Sequence, residues 1–282
     1  MTISPFNPIH FPDGNVSDGL PSRTTQVFAD TDDIMIQVCL ETGEEEPDGC
    51  VWSVAADASV ADIEWQSWAI TGKTVLFTIL TGMTPGLYTV RIDEAESDPF
   101  RVTADESVLA KTTLIQYRMK DNKQRDDMVS IIDGIPYFFD FRVPGGFKDS
   151  GWQFGVENEQ FATQRQDLIE LYAYDYVSKT FTMGGPLGVP VWFGEMLNRL
   201  LTCSYVYFNG ERYVRSDSET PSMSVLVDGL DSFVFSQLLR KTLIRDAEIE
   251  EINQTAIRRV SGDLDRVTDD DEEAEDVRTL NN

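Results

Sequence analysis

The chain has 282 residues, 41% of them apolar and 11% aromatic, enough to build packed cores in about two domains at the usual ~100–200 residues each. It carries 49 acidic and 23 basic residues, a net charge of −26. Such a field opposes binding to a phosphate backbone or an anionic membrane surface.

Met1–Gly14 holds no Lys or Arg and no continuous apolar run, so no secretory leader is expected. No stretch approaches the ~18 apolar residues of a membrane-spanning helix. Met1–Arg23, rich in Pro, Gly, Asn and Ser, is expected to form an extended arm. Residues 1–104 hold 4 basic and 17 acidic groups. Short β-prone runs recur there between turn signals: Thr25–Ala29, Ile34–Leu40, Cys50–Val54, Ile63–Ile70, Thr74–Leu80, Leu87–Ile92 and Phe100–Thr103. Ile34, Ile36, Val38 and Leu40 alternate with Met35, Gln37 and Cys39, and Ile63 and Trp65 alternate with Glu64, Gln66 and Trp68. Period-2 patterning over about seven short strands predicts a β-sandwich of immunoglobulin-like architecture. Thr71-Gly72-Lys73 and Thr84-Pro85-Gly86 read as turns.

Residues 105–230 predict a second β-rich domain, with strands at Thr112–Arg118, Met128–Ile132, Tyr137–Val143, Leu168–Tyr176, Thr180–Met183, Tyr205–Phe208, Arg212–Arg215 and Met223–Val227. Asn209-Gly210 is a strong hairpin signal. Pro190 leads into Val191–Leu201, where Val191, Met196, Leu197 and Leu200 fit one face of a short helix, a buried strand being the alternative. Residues 231–260 mix signals. Phe233–Leu239 can extend a sheet, and Ile249, Ile252, Ala256, Ile257 and Val260 suggest a C-terminal amphipathic helix. Residues 261–282, with the acidic run 269–273, read as a disordered tail. The fold class is therefore mainly β.

Motifs that carry chemistry are sparse. Cys39, Cys50 and Cys203 are too scattered for a disulfide framework and are expected to pack as small apolar groups, a Cys39–Cys50 bridge being the alternative. The lone histidine, His10, leaves no His-based triad or zinc set. No phosphate-cradling glycine motif occurs, and the Gly-rich stretches 143–147 and 183–188 read as turns. Asp30, Asp32 and Asp33 lack the glycine and terminal glutamate of a calcium loop. Glu157 and Glu159 would share a face of a strand, as would Tyr172, Tyr174 and Tyr176. With Trp152 and Trp192, these tyrosines are the candidate interface or binding surface. No catalytic, cofactor or metal residues are assigned.

The blocks Thr112-Thr113-Leu114-Ile115-Gln116-Tyr117, Phe141-Arg142-Val143-Pro144-Gly145-Gly146-Phe147, Glu159-Gln160-Phe161 with Gln164-Arg165-Gln166, Glu170-Leu171-Tyr172-Ala173, Met183-Gly184-Gly185, Gly188-Val189-Pro190-Val191-Trp192, Leu197-Asn198, Cys203-Ser204, Asn209-Gly210 and Tyr213-Val214-Arg215-Ser216 resemble a domain of structural proteins from tailed phages and prophages of Bacteroidales, crAss-like and related groups. The likeness runs from Lys111 to about Pro221. It implies a virion component of the tail or the neck between head and tail, assembled in the host cytoplasm, without enzymatic activity or cofactor. Its implied partners are copies of itself in a ring and other virion proteins, with no direct nucleic-acid or membrane binding. A carbohydrate- or receptor-binding module at a tail tip is the competing expectation.

Overall fold

The computed structural model describes residues 1–12, 24–70, 72–216, 222–226 and 232–242. The first ten strands are β1 (Thr2–Ile3), β2 (Gln26–Ala29), β3 (Ile34–Glu41), β4 (Gly49–Ser53), β5 (Ala58–Asp62), β6 (Gln66–Ile70), β7 (Lys73–Leu80), β8 (Gly86–Ile92), β9 (Ala95–Glu96) and β10 (Phe100–Thr103). They form two sheets, β1-β3-β7-β6 and β2-β10-β8-β4-β5, with β9 on β8. The expected sandwich is present. The Ile63–Ile70 run is split, however. β5 closes the outer sheet at Asp62, the chain crosses between the sheets, and β6 opens the other at Gln66. Ile63 and Trp65 consequently pack on one core and Trp68 and Ile70 on the other.

The β1-β3-β7-β6 sheet is a middle layer. Ile34, Ile36, Val38, Leu40 and Leu76 face the outer sheet, packing with Val51, Val90 and Phe100. Met35, Cys39, Val75 and Phe77 point the other way, into a second core with Ile115, Tyr117 and Phe139. Both residue sets of β3 are apolar because both of its faces are covered. Gln37 is the polar exception and is fully buried. Its Nε2 donates to the Val129 carbonyl at 2.7 Å and its Oε1 accepts from the Val129 amide at 2.9 Å. Cys39 and Cys50 lie in different sheets and are free thiols.

The second half comprises α1 (Glu106–Leu109), β11 (Thr112–Arg118), β12 (Ile131–Ile132), β13 (Ile135–Pro136), β14 (Phe139–Ala162), β15 (Leu168–Met183), α2 (Val191–Leu200), β16 (Tyr205–Phe208), β17 (Glu211–Arg215), β18 (Ser222–Val225) and β19 (Phe233–Lys241). The strand order is β15-β14-β11-β16-β17-β19-β18, and β15 also pairs with β19, so the sheet closes into a barrel. Phe147, Phe181, Phe208 and Tyr213 fill it, with ring centroids 4.6 to 5.7 Å apart. Asn209 and Gly210 both take positive φ in the β16–β17 turn, the geometry this pair favours. α2 is a helix with Pro190 at its N-cap. It buries Phe193, Met196, Leu197 and Leu200, while Val191, expected on the buried face, is exposed. Gly194 is required there, since a Cβ would lie 2.3 Å from the Phe235 ring.

Residues 1–12 do not project as an arm. β1 pairs with β3, Phe6 is fully buried, and its carbonyl accepts from the Tyr117 hydroxyl. Asn7 brackets Gln37 through two hydrogen bonds of 3.0 and 2.8 Å. The burial of Phe6 and Ile9 outweighs the Pro-rich composition that suggested an extended segment. The predicted C-terminal helix over 249–260 and the acidic tail fall outside the described residues.

Asp32, Asp33, Asp140 and Arg142 occupy the junction between the halves. Arg142 grips Asp32 bidentately at 2.6 and 2.7 Å. The Asp140 carboxylate accepts from the Asp33 amide at 3.2 Å and from Gln116 Nε2 at 2.9 Å. Burial, reinforced by Asp32, pushes the Asp140 carboxyl up to about 7 and that of Asp33 to about 6.

Candidate functional site: a projecting aromatic hairpin

β14 and β15 continue past the barrel as a two-stranded ribbon. β15 pairs with β19 only as far as Ser178, whereas β14 and β15 stay paired from Trp152↔Lys179 to Ala162↔Leu168. Beyond that last support β14 runs nine residue steps, from Gln153 to Ala162, which at ~3.3 Å each make a projection of about 30 Å. Residues 163–167 close it, with the Thr163 amide donating to the Asp167 carbonyl at 2.8 Å. Predicted strands ended at Val143 and were interrupted near Tyr176. The actual strands run through both points, the Gly145-Gly146 pair being accommodated within the strand. At Gly145, φ is +121° and an added Cβ would meet the Thr182 carbonyl oxygen at 2.2 Å.

The register sorts the side chains onto two faces. Tyr172, Tyr174 and Tyr176 do share one, opposite Glu159, Glu157 and Gly155. Tyr172 and Tyr174 form a tilted pair 5.4 Å apart. Tyr176 lies flat over Gly155, where a Cβ would come within 2.3 Å of its ring. Arg240 stacks on Tyr176 at 4.1 Å and binds Glu157 at 2.8 Å. The other face carries Trp152, Phe154 and Val156 across from Lys179, Val177 and Asp175. Trp152 stacks with Phe154, and Lys179 Nζ lies 3.8 Å from the Trp152 ring centre.

Trp192 belongs elsewhere. It opens α2, stacks on His10 at 5.0 Å and touches Phe193 and Phe141. The hairpin instead adds residues the sequence reading passed over: Phe154, Val156, Phe161, Leu168, Ile169 and Leu171, all exposed. Phe154 is 78% exposed and Leu168 65%. Nine of the eighteen exposed large apolar side chains among the described residues lie on this hairpin. The Trp152/Phe154/Val156 alternation was the available signal. No group of described residues has the composition and spacing to hold a metal ion, and no described helix is long and apolar enough to cross a membrane.

No family model and no curated protein matches the chain. Among solved structures, a Zn-binding triple mutant of the glycoside hydrolase family 9 endoglucanase J30 is similar over 45% of this chain and 28% of its own, at 14% identity and a TM-score of 0.23. A likeness of that size carries no argument about fold or activity.

Proposed function

We propose that this chain is a structural subunit of a tailed-phage virion, a tail or neck component that assembles through protein–protein contacts. The β14–β15 hairpin is the element that engages a neighbour. The observation that carries this reading is the hairpin's two exposed apolar faces. An isolated two-stranded ribbon is marginal in water, and contiguous exposed apolar surface marks an interaction site. Head-to-tail docking of such an arm on an adjacent copy generates a closed ring when the rotation closes. The resemblance over residues 111–221 points the same way, and no catalytic role enters the reading.

The test is Phe154→Lys with Val156→Lys in the full chain. Both positions are solvent-exposed, so the monomer's unfolding midpoint should stay within about 1 °C of wild type. Light scattering and negative-stain microscopy should show wild-type oligomers at concentrations where the variant is monomeric. Oligomers persisting unchanged in the variant, or a wild type that stays monomeric both alone and mixed with co-purified virion proteins, would overturn the assignment. The Tyr172–Tyr174 pair supports a second reading, a glycan-binding platform, in which Tyr172→Ala abolishes glycan-array signal and leaves assembly intact.

A further inference from the structure

We propose that Arg118, Arg212 and Tyr207 form a binding site for an oxyanion, a carboxylate or a phosphate, on the outer face of the barrel. The β11-β16-β17 register brings them together, because Arg118 lies opposite Tyr205 and Tyr207 opposite Arg212. Both guanidinium groups stack on the same tyrosine, Arg118 at 4.4 Å and Arg212 at 4.7 Å from the Tyr205 ring centre, and Arg118 also contacts Phe138 at 5.1 Å.

Arg118 is 5% exposed and Tyr207 2%. Arg118 Nε, Arg212 Nε and the Tyr207 hydroxyl are all buried without a hydrogen-bond partner. The bonds these arginines do make go to neutral backbone carbonyls, Arg118 to Met119 at 3.2 Å and Arg212 to Ser204 at 3.1 Å. Among the described residues neither forms an ion pair, whereas Arg91, Arg125, Arg142 and Arg240 each hold a carboxylate. The chain holds more than twice as many acids as bases, so two neighbouring arginines, one buried and one half-buried, that lack a counter-charge among the described residues are the exception. A buried charge is costly unless it is paired, and three unsatisfied donors beside two like charges define what is missing: an acceptor of negative charge. A planar guanidinium fork matches carboxylate and phosphate oxygens alike. Burial pushes the Tyr207 phenol up to about 12, so its hydroxyl remains a donor at working pH. Tyr205 and Arg212 are only half-buried, so the site opens on their side.

Inorganic phosphate and N-acetylglutamate amide would be titrated separately against the full chain at ionic strength held constant with chloride. One of them should raise the unfolding midpoint saturably, by about 3–6 °C at tenfold excess over Kd. The midpoint dose should move at least tenfold higher in Arg212→Gln and in Arg118→Gln. A stronger response to phosphate assigns a free or phosphorylated ligand, and a stronger response to the glutamate probe assigns an acidic side chain of a partner. Arg212 is half-buried, so its variant decides the matter even if the Arg118 variant fails to fold. No saturable rise with either anion, or an equal rise in Arg212→Gln, would overturn the proposal without touching the hairpin reading.

Discussion

Replacing Asp140 by Asn should stabilise the protein, and increasingly so as the pH rises. Asp140 is 3% exposed, and its carboxyl is lifted from 3.8 to about 7, chiefly by burial. The folded state therefore prefers the protonated acid. Between about pH 4 and 7 it binds more protons than the unfolded chain, so this group's contribution falls as pH rises through that window and levels off above it. With those two values, keeping Asp140 costs about 2 kcal/mol at pH 5.5 and about 4 kcal/mol at pH 8. Asparagine cannot ionise and keeps the shape. Its Oδ1 can accept from the Asp33 amide, and its Nδ2 can donate to Gln116 once that side-chain amide turns over, so both hydrogen bonds survive. The advantage of Asp140→Asn over wild type should thus widen by about 2 kcal/mol from pH 5.5 to pH 8. Urea unfolding followed by tryptophan fluorescence measures it, with both proteins compared at each pH so that the remaining acids cancel, and with every pH kept above the pI of 4.2. A difference that stays constant with pH, or one that shrinks toward pH 8, would refute the reasoning.

Gln37→Leu strands the Val129 amide and carbonyl inside the shared core and should cost about 2–4 kcal/mol in urea unfolding. A loss below 0.5 kcal/mol would mean that water takes over those bonds. Gly155→Val should displace the Tyr176 ring and break the Arg240 stack, raising amide exchange along residues 154–177 while the barrel strands stay protected. Unchanged exchange would show that the ring is not held by that glycine.

Strands with one clean apolar stripe were legible in the sequence, as were the Asn209-Gly210 turn and the α2 helix. What failed to show was how many faces each strand hides. Met35 and Cys39 read as the less apolar side of β3, yet both are buried, because a second layer that no local pattern encodes covers them. The β14–β15 ribbon was hidden for the opposite reason. Gly145 and Gly146 look like turn punctuation, and only the partner strand shows that Gly145 allows close backbone approach. Of the candidate surface, the tyrosine row followed from its spacing of two. Trp152 falls on the reverse face, and Trp192 is claimed by His10, a neighbour 182 positions away in the chain.

The doubly covered middle sheet constrains how this architecture can be inherited. A sandwich cut off near residue 104 would carry Met35, Val75 and Phe77 naked to water and would lose the Val129 partner that satisfies Gln37. Recombination that moved the sandwich into another gene without the barrel would deliver a fragment with a naked apolar face, an aggregation liability. Variation is freest on β5, whose five residues are all exposed.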